Sequence, residues 1–179
     1  MSYGLATLLT VLLVRSVPGR LLQPRTIPPE IVARLHAQDS NTLFWVDPAF
    51  DGSRGFQVEP PDDRYPTEND SLPWDLKVEE VREALFRSLG RLHRPESPFI
   101  FKSTLTYANR HCGFIGFFGK LTMEGRVVTP DGRVWAVIVV HRGSMGEYKQ
   151  VLENSCKEIT NALEEALLKP HASRTLVMD

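Results

Sequence analysis

The residues of this chain best suited to chemistry are its histidines and cysteines. His111 and Cys112 are adjacent, and an imidazole near a thiol is the arrangement that activates a cysteine nucleophile. Neighbouring residues of an extended chain point to opposite sides, however, so this pair is poorly placed to act as base and nucleophile. The pattern therefore predicts no catalytic residue.

The two cysteines, Cys112 and Cys156, allow two interpretations. They lack the CxxC spacing of zinc ribbons and thioredoxin-type sites. A disulfide between them would tie the glycine-rich segment to the last helix and would imply an oxidising compartment. Two buried thiols that pack as small hydrophobic groups fit the sequence equally well. Both alternatives stay open at this point.

The five histidines predict no metal site, because no pair has HxxxH, HExxH or HxH spacing. His141 and Arg142 precede Gly143 and are tentative binding residues, since a phosphate or carboxylate could bind where glycines open a helix N-terminus. An ordinary strand-to-helix turn is the favoured interpretation of this segment. The chain has no GxSxG, P-loop or GxGxxG motif, so we expect no cofactor.

The sequence predicts a glycine-rich aromatic loop at 108–119, and this segment has the best claim to a binding function. It combines large apolar side chains with three glycines, between two segments that are typical of strands. Clustered aromatics on such a backbone could enter a membrane interface or a partner groove. In the alternative, alternate residues face the core and the glycines mark bulges. The tentative binding residues of the segment are His111, Phe114, Ile115, Phe117 and Phe118.

The composition limits the classes of function. The chain has 179 residues, a formal net charge of −1, 42% hydrophobic residues and 24% charged residues. These values are typical of a globular protein with one domain and its extensions. No basic stripe supplies the field that nucleic-acid binding needs, so we expect no nucleic-acid partner.

The N-terminal residues 1–15 are signal-like or anchor-like. The uncharged run Leu5–Val14 matches the apolar region of a secretory signal. As a helix it would rise about 15 Å, roughly half of what a bilayer core requires. A buried N-terminal helix is the alternative. Residues 16–41 form a proline-rich connector that includes a short predicted helix, Glu30–Ala37.

The remainder predicts an α+β domain over residues 42–168, followed by a tail over 169–179. Its apolar spacing alternates between the periods of strands and helices. The fold class is a two-layer sandwich, with a mixed or mostly antiparallel sheet of about four strands and helices on one face. The predicted elements are strands at 42–46, 99–107, 120–128 and 134–140, helices at 75–92 and 148–168, an acidic loop at 47–73 and a tight turn at 129–132.

This pattern resembles the small α/β domains of bacterial envelope lipoproteins, including transport-auxiliary types. The likeness rests on the apolar start, the proline-rich tether, and the order strand, helix, strands, helix. The turn Thr129-Pro130-Asp131-Gly132, the hydrophobic strand and the final helix are also similar. The chain departs from the family because no lipobox cysteine follows the apolar run. The resemblance implies no particular site residue.

The sequence therefore predicts a non-enzymatic domain of the cell envelope, on the periplasmic side and associated with the membrane. Its partner would be a protein or a membrane surface, contacted through the segment 108–119 and the acidic loop 47–73. The alternative is an enzymatic or small-molecule-binding domain, in which His111, Cys112, His141 and Arg142 would converge on a pocket. A cytoplasmic structural subunit is a further option.

Overall fold

The computed structural model describes residues 24–63, 78–113 and 116–168. For 108–113 and 116–118 it describes the backbone pairing alone. The predicted signal-like segment 1–15, connector residues 16–23, residues 64–77 with the predicted start of the helix 75–92, residues 114–115 and the tail 169–179 lie outside the described residues. Their predicted roles stay predictions.

The chain forms one mixed sheet with three α-helices in its described part. The elements are α1 (Pro29–Val32), β1 (His36–Asp39), β2 (Thr42–Val46), β3 (Gln57–Val58), β4 (Asp62–Asp63), α2 (Val78–Leu89), β5 (Ile100–Gly113), β6 (Gly116–Val128), β7 (Val134–Gly146) and α3 (Tyr148–Leu163). Strand order is β1-β2-β7-β6-β5-β3, and β4 also pairs with β5. Strands β3 and β4 run parallel to β5, whereas the other pairings are antiparallel.

The α+β class is confirmed, but the count of about four strands is too low, since the described residues form seven. Two of the additional strands, β3 and β4, have two residues each and lie in the segment predicted as the acidic loop 47–73. The third, β1, arises where the sequence predicts the end of a helix, at His36 and Ala37. Their pairing with β2 overrides the local helical spacing.

The main core lies between one face of the sheet and the helices α2 and α3, which we call the helix face. The apolar stripes of both helices are buried there, as their spacing predicts. Gly125 of β6 also lies on this face, where an added Cβ would stand 2.5 Å from the Phe101 ring. A π-helical turn, Glu164–Leu168, continues α3 to the predicted end of the helix. The buried contributors from the helices, this turn and β7 are Val81, Leu85, Leu89, Ile159, Leu163, Leu167, Ala136, Ile138 and Val140.

A second, smaller core lies on the opposite face of the sheet. Residues 24–35, which we call the strap, cross this face and bury Ile27 against Val137 and Val139. The short helix α1 belongs to the strap, so the prediction of helices on one face holds only for α2 and α3. Residues 24–41, expected to be a connector, therefore pack on the sheet or form part of it.

Strand β7 is central and buried on both faces, as its continuous apolar sequence predicts. It is reached through the predicted turn, where Gly132 has φ +85° and its N–H donates to the Thr129 carbonyl at 2.8 Å. Beyond Val140, however, β7 continues as a strand to Gly146. The predicted strand-to-helix turn at His141–Gly146 is therefore wrong, because these residues pair with β6.

The segment 108–119 is also strand rather than loop over its described part. Strand β5 continues to Gly113, and β6 begins at Gly116, directly opposite. Strand β6 lies between β5 and β7, so its backbone groups find partners on both sides despite the glycines. The glycines mislead because they predict irregular backbone, whereas long-range pairing decides this region.

Candidate functional site

Three strands extend beyond the part of the sheet bordered by β2, β3 and β4. We call this region the outer end, and it comprises residues 108–113 of β5, 116–121 of β6 and 142–146 of β7. Pairing is continuous through it, from Leu121 opposite Arg142 to Phe117 opposite Gly146. Three of the binding residues predicted from the aromatic segment, His111, Phe117 and Phe118, thus lie in the antiparallel β5–β6 hairpin.

The structure places these predicted residues by their backbone only. His111 pairs with Phe118 and Cys112 with Phe117, and Phe118 in turn pairs with Met145 of β7. Phe114 and Ile115 join Gly113 to Gly116 and lie outside the described residues. Met145 itself is 54% exposed, which makes it the more exposed of the two large hydrophobic side chains at the described surface, with Phe86 at 39%. An exposed apolar side chain in register with Phe118 is a feature that the sequence did not indicate.

His141 lies at the start of the outer end, on the strap face beside Thr122. Its Nδ1 is 2.8 Å from the Thr122 hydroxyl, and the Tyr107 ring centroid is 6.2 Å from its own. Burial lowers the pKa of His141 below 6.5, and the positive charges of Lys120 and Arg142 lower it further. The arrangement favours a neutral imidazole held by a hydroxyl, which is the environment of a structural histidine.

Arg142 points to the opposite face from His141, because it pairs with the core residue Leu121. Its guanidinium donates to Asp39 at 2.9 Å, to the Thr42 hydroxyl at 2.8 Å and to the His141 carbonyl at 2.9 Å. All three acceptors belong to the fold itself. Arg142 therefore ties β1 and β2 to β7 at the point where β2 begins.

The predicted pocket requires His111, Cys112, His141 and Arg142 to converge. The side chains of His141 and Arg142 diverge to opposite faces, and those of His111 and Cys112 lie outside the described part of the structure. In register, His111 is level with Met145, four residues along β7 from His141, or about 13 Å at the rise of a strand. Within the described residues, this convergence is therefore not observed, and the small-molecule or enzymatic alternative stays a prediction.

Cys156 is buried in the core between α3 and the sheet, and no described residue bridges it. Burial raises its pKa to about 12, so the thiol is neutral and unreactive at physiological pH. This environment fits the alternative of a cysteine that packs as a small hydrophobic group. The side chain of Cys112 is not described, so a bridge between the two stays a prediction.

Glu124 is the buried charged residue that sequence reasoning missed. It is 3% exposed on the strap face of β6, where its carboxylate accepts from the Arg25 N–H at 2.7 Å, the Thr26 N–H at 2.8 Å and the Thr26 hydroxyl at 2.6 Å. These donors satisfy the carboxylate and fix the strap across the sheet. The sequence carries no local signal for it, because the donors lie 98 and 99 residues earlier.

The described part of the acidic loop uses its carboxylates locally. Asp47 accepts from the Ala49 N–H and pairs with Arg133 at 3.2 Å. Asp51 accepts hydrogen bonds from the Ser53 hydroxyl and from the Ser53 N–H. These bonds lower the pKa of the Asp51 carboxyl, and the hydroxyl has the larger effect.

Within residues 24–63, 78–113 and 116–168, no three His, Cys, Asp or Glu side chains are grouped to hold a metal ion. Nor does any helix in those ranges have the length and apolarity to cross a membrane.

Comparisons with known proteins do not assign the chain to a family. No protein-family model and no curated protein matches it. Solved structures overlap it in part: a PelC dodecamer from Paraburkholderia phytofirmans has 10% identity and a TM-score of 0.46, covering 72% of this chain and 98% of that chain. The hypothetical protein CT253 from Chlamydia trachomatis has 11% identity and a TM-score of 0.39, with coverages of 63% and 96%.

A bacterial lipoprotein, GNA1162 from Neisseria meningitidis, also overlaps the chain. The identity is 14% and the TM-score 0.31, with 62% of this chain and 97% of that chain covered. At identities this low and TM-scores below 0.5, none of these overlaps defines a family or a function for this chain.

Proposed function

We propose that this chain is a binding domain of the cell envelope that contacts a protein partner or a membrane-associated complex through the outer end of its sheet. The observation that carries the proposal is the extension of β5, β6 and β7 beyond their neighbouring strands, with Met145 54% exposed beside the aromatic hairpin. An exposed apolar side chain next to clustered aromatics is typical of a contact surface.

The placement of the polar groups supports binding over catalysis. Glu124, Arg142 and His141 each have partners within the fold, and Cys156 is buried with a raised pKa. Side chains held in this way stabilise the scaffold that presents the hairpin. The envelope location rests on the sequence, namely the apolar run Leu5–Val14 and the proline-rich stretch that follows it.

The acidic loop is the second proposed contact element. Its described residues follow β2 in the chain and then pair with β5 as the short strands β3 and β4. They therefore lie along the edge of β5 that faces away from β6. Glu59 pairs with Lys102 at 3.4 Å across this edge, with both side chains about half exposed. Exposed carboxylates here would add electrostatic specificity to an apolar contact at the hairpin.

The hairpin is tested best at the two residues that join its strands. Phe117 and Phe118 occupy paired positions in β6, so replacing them could disturb strand pairing. Phe114 and Ile115 lie in the chain between Gly113 and Gly116, the last pair of the two strands. We expect the double change F114S and I115S to leave unfolding unchanged and to abolish retention of the native partner from detergent-solubilised envelope fractions. The matched control is F86S, which removes an exposed phenylalanine from α2.

A partner retained equally by wild type, the double variant and F86S would rule out the hairpin tip. If the double variant unfolds, the two side chains belong to a core. Vesicles of phosphatidylglycerol and phosphatidylethanolamine, floated with the same three proteins, distinguish a lipid surface from a protein partner. Only a lipid contact predicts flotation of wild type and F86S without any other protein.

The envelope location is tested by intact-protein mass after expression in the native host, with cell fractionation and a thiol count. A shortened chain in the envelope supports export. A full-length cytosolic chain with two free thiols would overturn the location and make the apolar run structural.

A further inference from the structure

The edge of β7 that faces away from β6 is paired with β2 before His141 and has no described partner strand after it. In an antiparallel strand the N–H and C=O of alternate residues point to the same side. The His141 N–H donates to the Asn41 carbonyl on the β2 side, at 2.8 Å, and the Trp135 carbonyl accepts from Asp47 on that side. The backbone groups of Gly143 and Met145 therefore point the same way, away from β6.

No described strand pairs with β7 on that side beyond Asn41, because β2 covers only Ala136–Val140. The His141 carbonyl is closed off by the Arg142 guanidinium, at 2.9 Å. Gly143 and Met145 follow, and in the described part of the chain their outward N–H and C=O groups have no backbone partner. Such an edge is a template for another strand.

The other edges of the sheet carry features that discourage pairing. The pairing of β1 with β2 shifts register between Ala37 and Asp39. The pairing of β5 with β6 shifts register between Leu105 and Tyr107, next to the last residue of β5 that pairs with β4. Bulges of this kind twist an edge away from a partner. The segment Gly143–Gly146 has a regular register with β6 and contains no charged residue and no proline. It is therefore the edge best suited to strand addition.

We infer that this edge pairs with the same edge of a second copy of the chain, antiparallel and two-fold symmetric about Ser144. In that register Gly143 of one copy faces Met145 of the other, and the outward groups of the two residues satisfy one another. The exposed Met145 side chain lies across from a residue without a side chain, so a large group meets a gap on the same face. The segment is thus complementary to itself, which a two-fold interface requires.

The dimer would cover Met145, which is part of the proposed contact surface. Its pairing through β7 does not involve Phe114 or Ile115, so variants of those two residues test the proposed function separately from the dimer. Sedimentation equilibrium of the full chain, over a broad range of concentrations, measures the dimer. We compare M145P, which removes an outward N–H that β6 does not use, with M145A, which retains it. We expect M145P to lose the dimer and M145A to keep it.

Loss in both variants would mean that the methionine side chain, and not the strand edge, forms the contact, and this would overturn the inference. A wild-type chain that stays monomeric throughout the range would overturn it as well. If M145P fails to fold, S144C replaces it in a Cys112→Ser background. The two-fold register places the Ser144 Cα atoms about 4.5 Å apart in a non-hydrogen-bonded pair, close enough for a disulfide.

Oxidation should therefore convert S144C into a covalent dimer much faster than K102C, which places an exposed cysteine on β5 in the same background. Equal rates for the two variants would refute the two-fold register. The F114S and I115S variant should dimerise like wild type, because the hairpin tip takes no part in this pairing.

Discussion

The two halves of β7 differ in almost every physical respect. From Ala136 to Val140 every residue is fully buried, each face packs on a core, and each edge pairs with a strand. From Arg142 to Gly146 exposure alternates, one edge has no described partner, and Met145 is more than half exposed. One strand thus provides the centre of the fold at one end and an accessible surface at the other.

This difference separates stability from contact. Residues in the inner half change the free energy of unfolding through cavities and lost burial, whereas residues in the outer half have little burial to lose. A surface built on rigid strands can nevertheless present side chains accurately, because the inner half holds the strands in register. Substitutions in the two halves of β7 and in the strap therefore test whether the boundary lies at His141.

The largest effect is expected from Ile138→Ala in the inner half. Ile138 is fully buried on the helix face, close enough to Gly125 that a Cβ there would stand 3.1 Å from it. Truncation leaves a cavity among packed side chains and should lower the free energy of unfolding by about 2–5 kcal/mol. Urea denaturation measures this loss. A change below about 1 kcal/mol would contradict a closed inner half.

The next effect concerns the strap, through Glu124→Gln. The amide keeps one acceptor but turns an NH₂ group toward the N–H donors of Arg25 and Thr26. We expect a loss of about 1–3 kcal/mol in the free energy of unfolding, from unsatisfied buried groups. Faster hydrogen exchange at these two amides would localise the loss to the strap. Glu59→Gln is the control, since its surface ion pair with Lys102 is worth about 1 kcal/mol or less.

The elements predicted well from sequence are those with a complete local signal. Thr42–Val46 forms a strand, the Thr129–Gly132 turn joins β6 to β7, and the spacing of Val81, Leu85 and Leu89 gives the helix α2. In each case the residues that decide the structure are neighbours in sequence. Periodicity and turn chemistry then suffice.

The errors occur where distant residues decide. His36 and Ala37 form a strand because β2 pairs with them, and the glycine-rich residues around Gly113 remain strand because the sheet continues on both sides of β6. Glu124 has no local signal, because its donors belong to the strap. Of the candidate site, the sequence indicated residues 108–119 as a contact element but not their pairing as strands, the open edge of β7 or the exposed Met145. These features depend on which distant strands pair and on where β2 begins.

Replacing the boundary residue His141 should have a smaller effect on the free energy of unfolding, and the size of that effect should depend on pH. Its folded pKa is lowered from 6.5, mainly by burial and then by Lys120 and Arg142. As pH falls below 6.5 the unfolded chain therefore takes up the proton before the folded chain does. The contribution of His141 is present above pH 6.5 and is lost as pH falls toward the folded pKa.

His141→Gln should remove this part of the pH dependence while preserving a polar partner for Thr122 at neutral pH. Free energies of unfolding, measured from pH 7.5 to 5, compare the variant with wild type. Lys120→Gln is the intermediate case, because removing one nearby positive charge should reduce the slope without abolishing it. Identical slopes in wild type and His141→Gln would mean that the imidazole is solvated, and the closed half would then end before His141.

The smallest effect is expected from Met145→Ala, the counterpart of Ile138→Ala on the same strand. A side chain that is 54% exposed has little burial to lose, so the free energy of unfolding should change by about 0.5 kcal/mol or less. Urea denaturation at a protein concentration low enough to avoid self-association measures this change alone. A loss comparable to that of Ile138→Ala would show that Met145 packs in a core completed by residues outside the described part of the chain. In that case the outer end would be a closed half like the inner one, and its claim to be a contact surface would end.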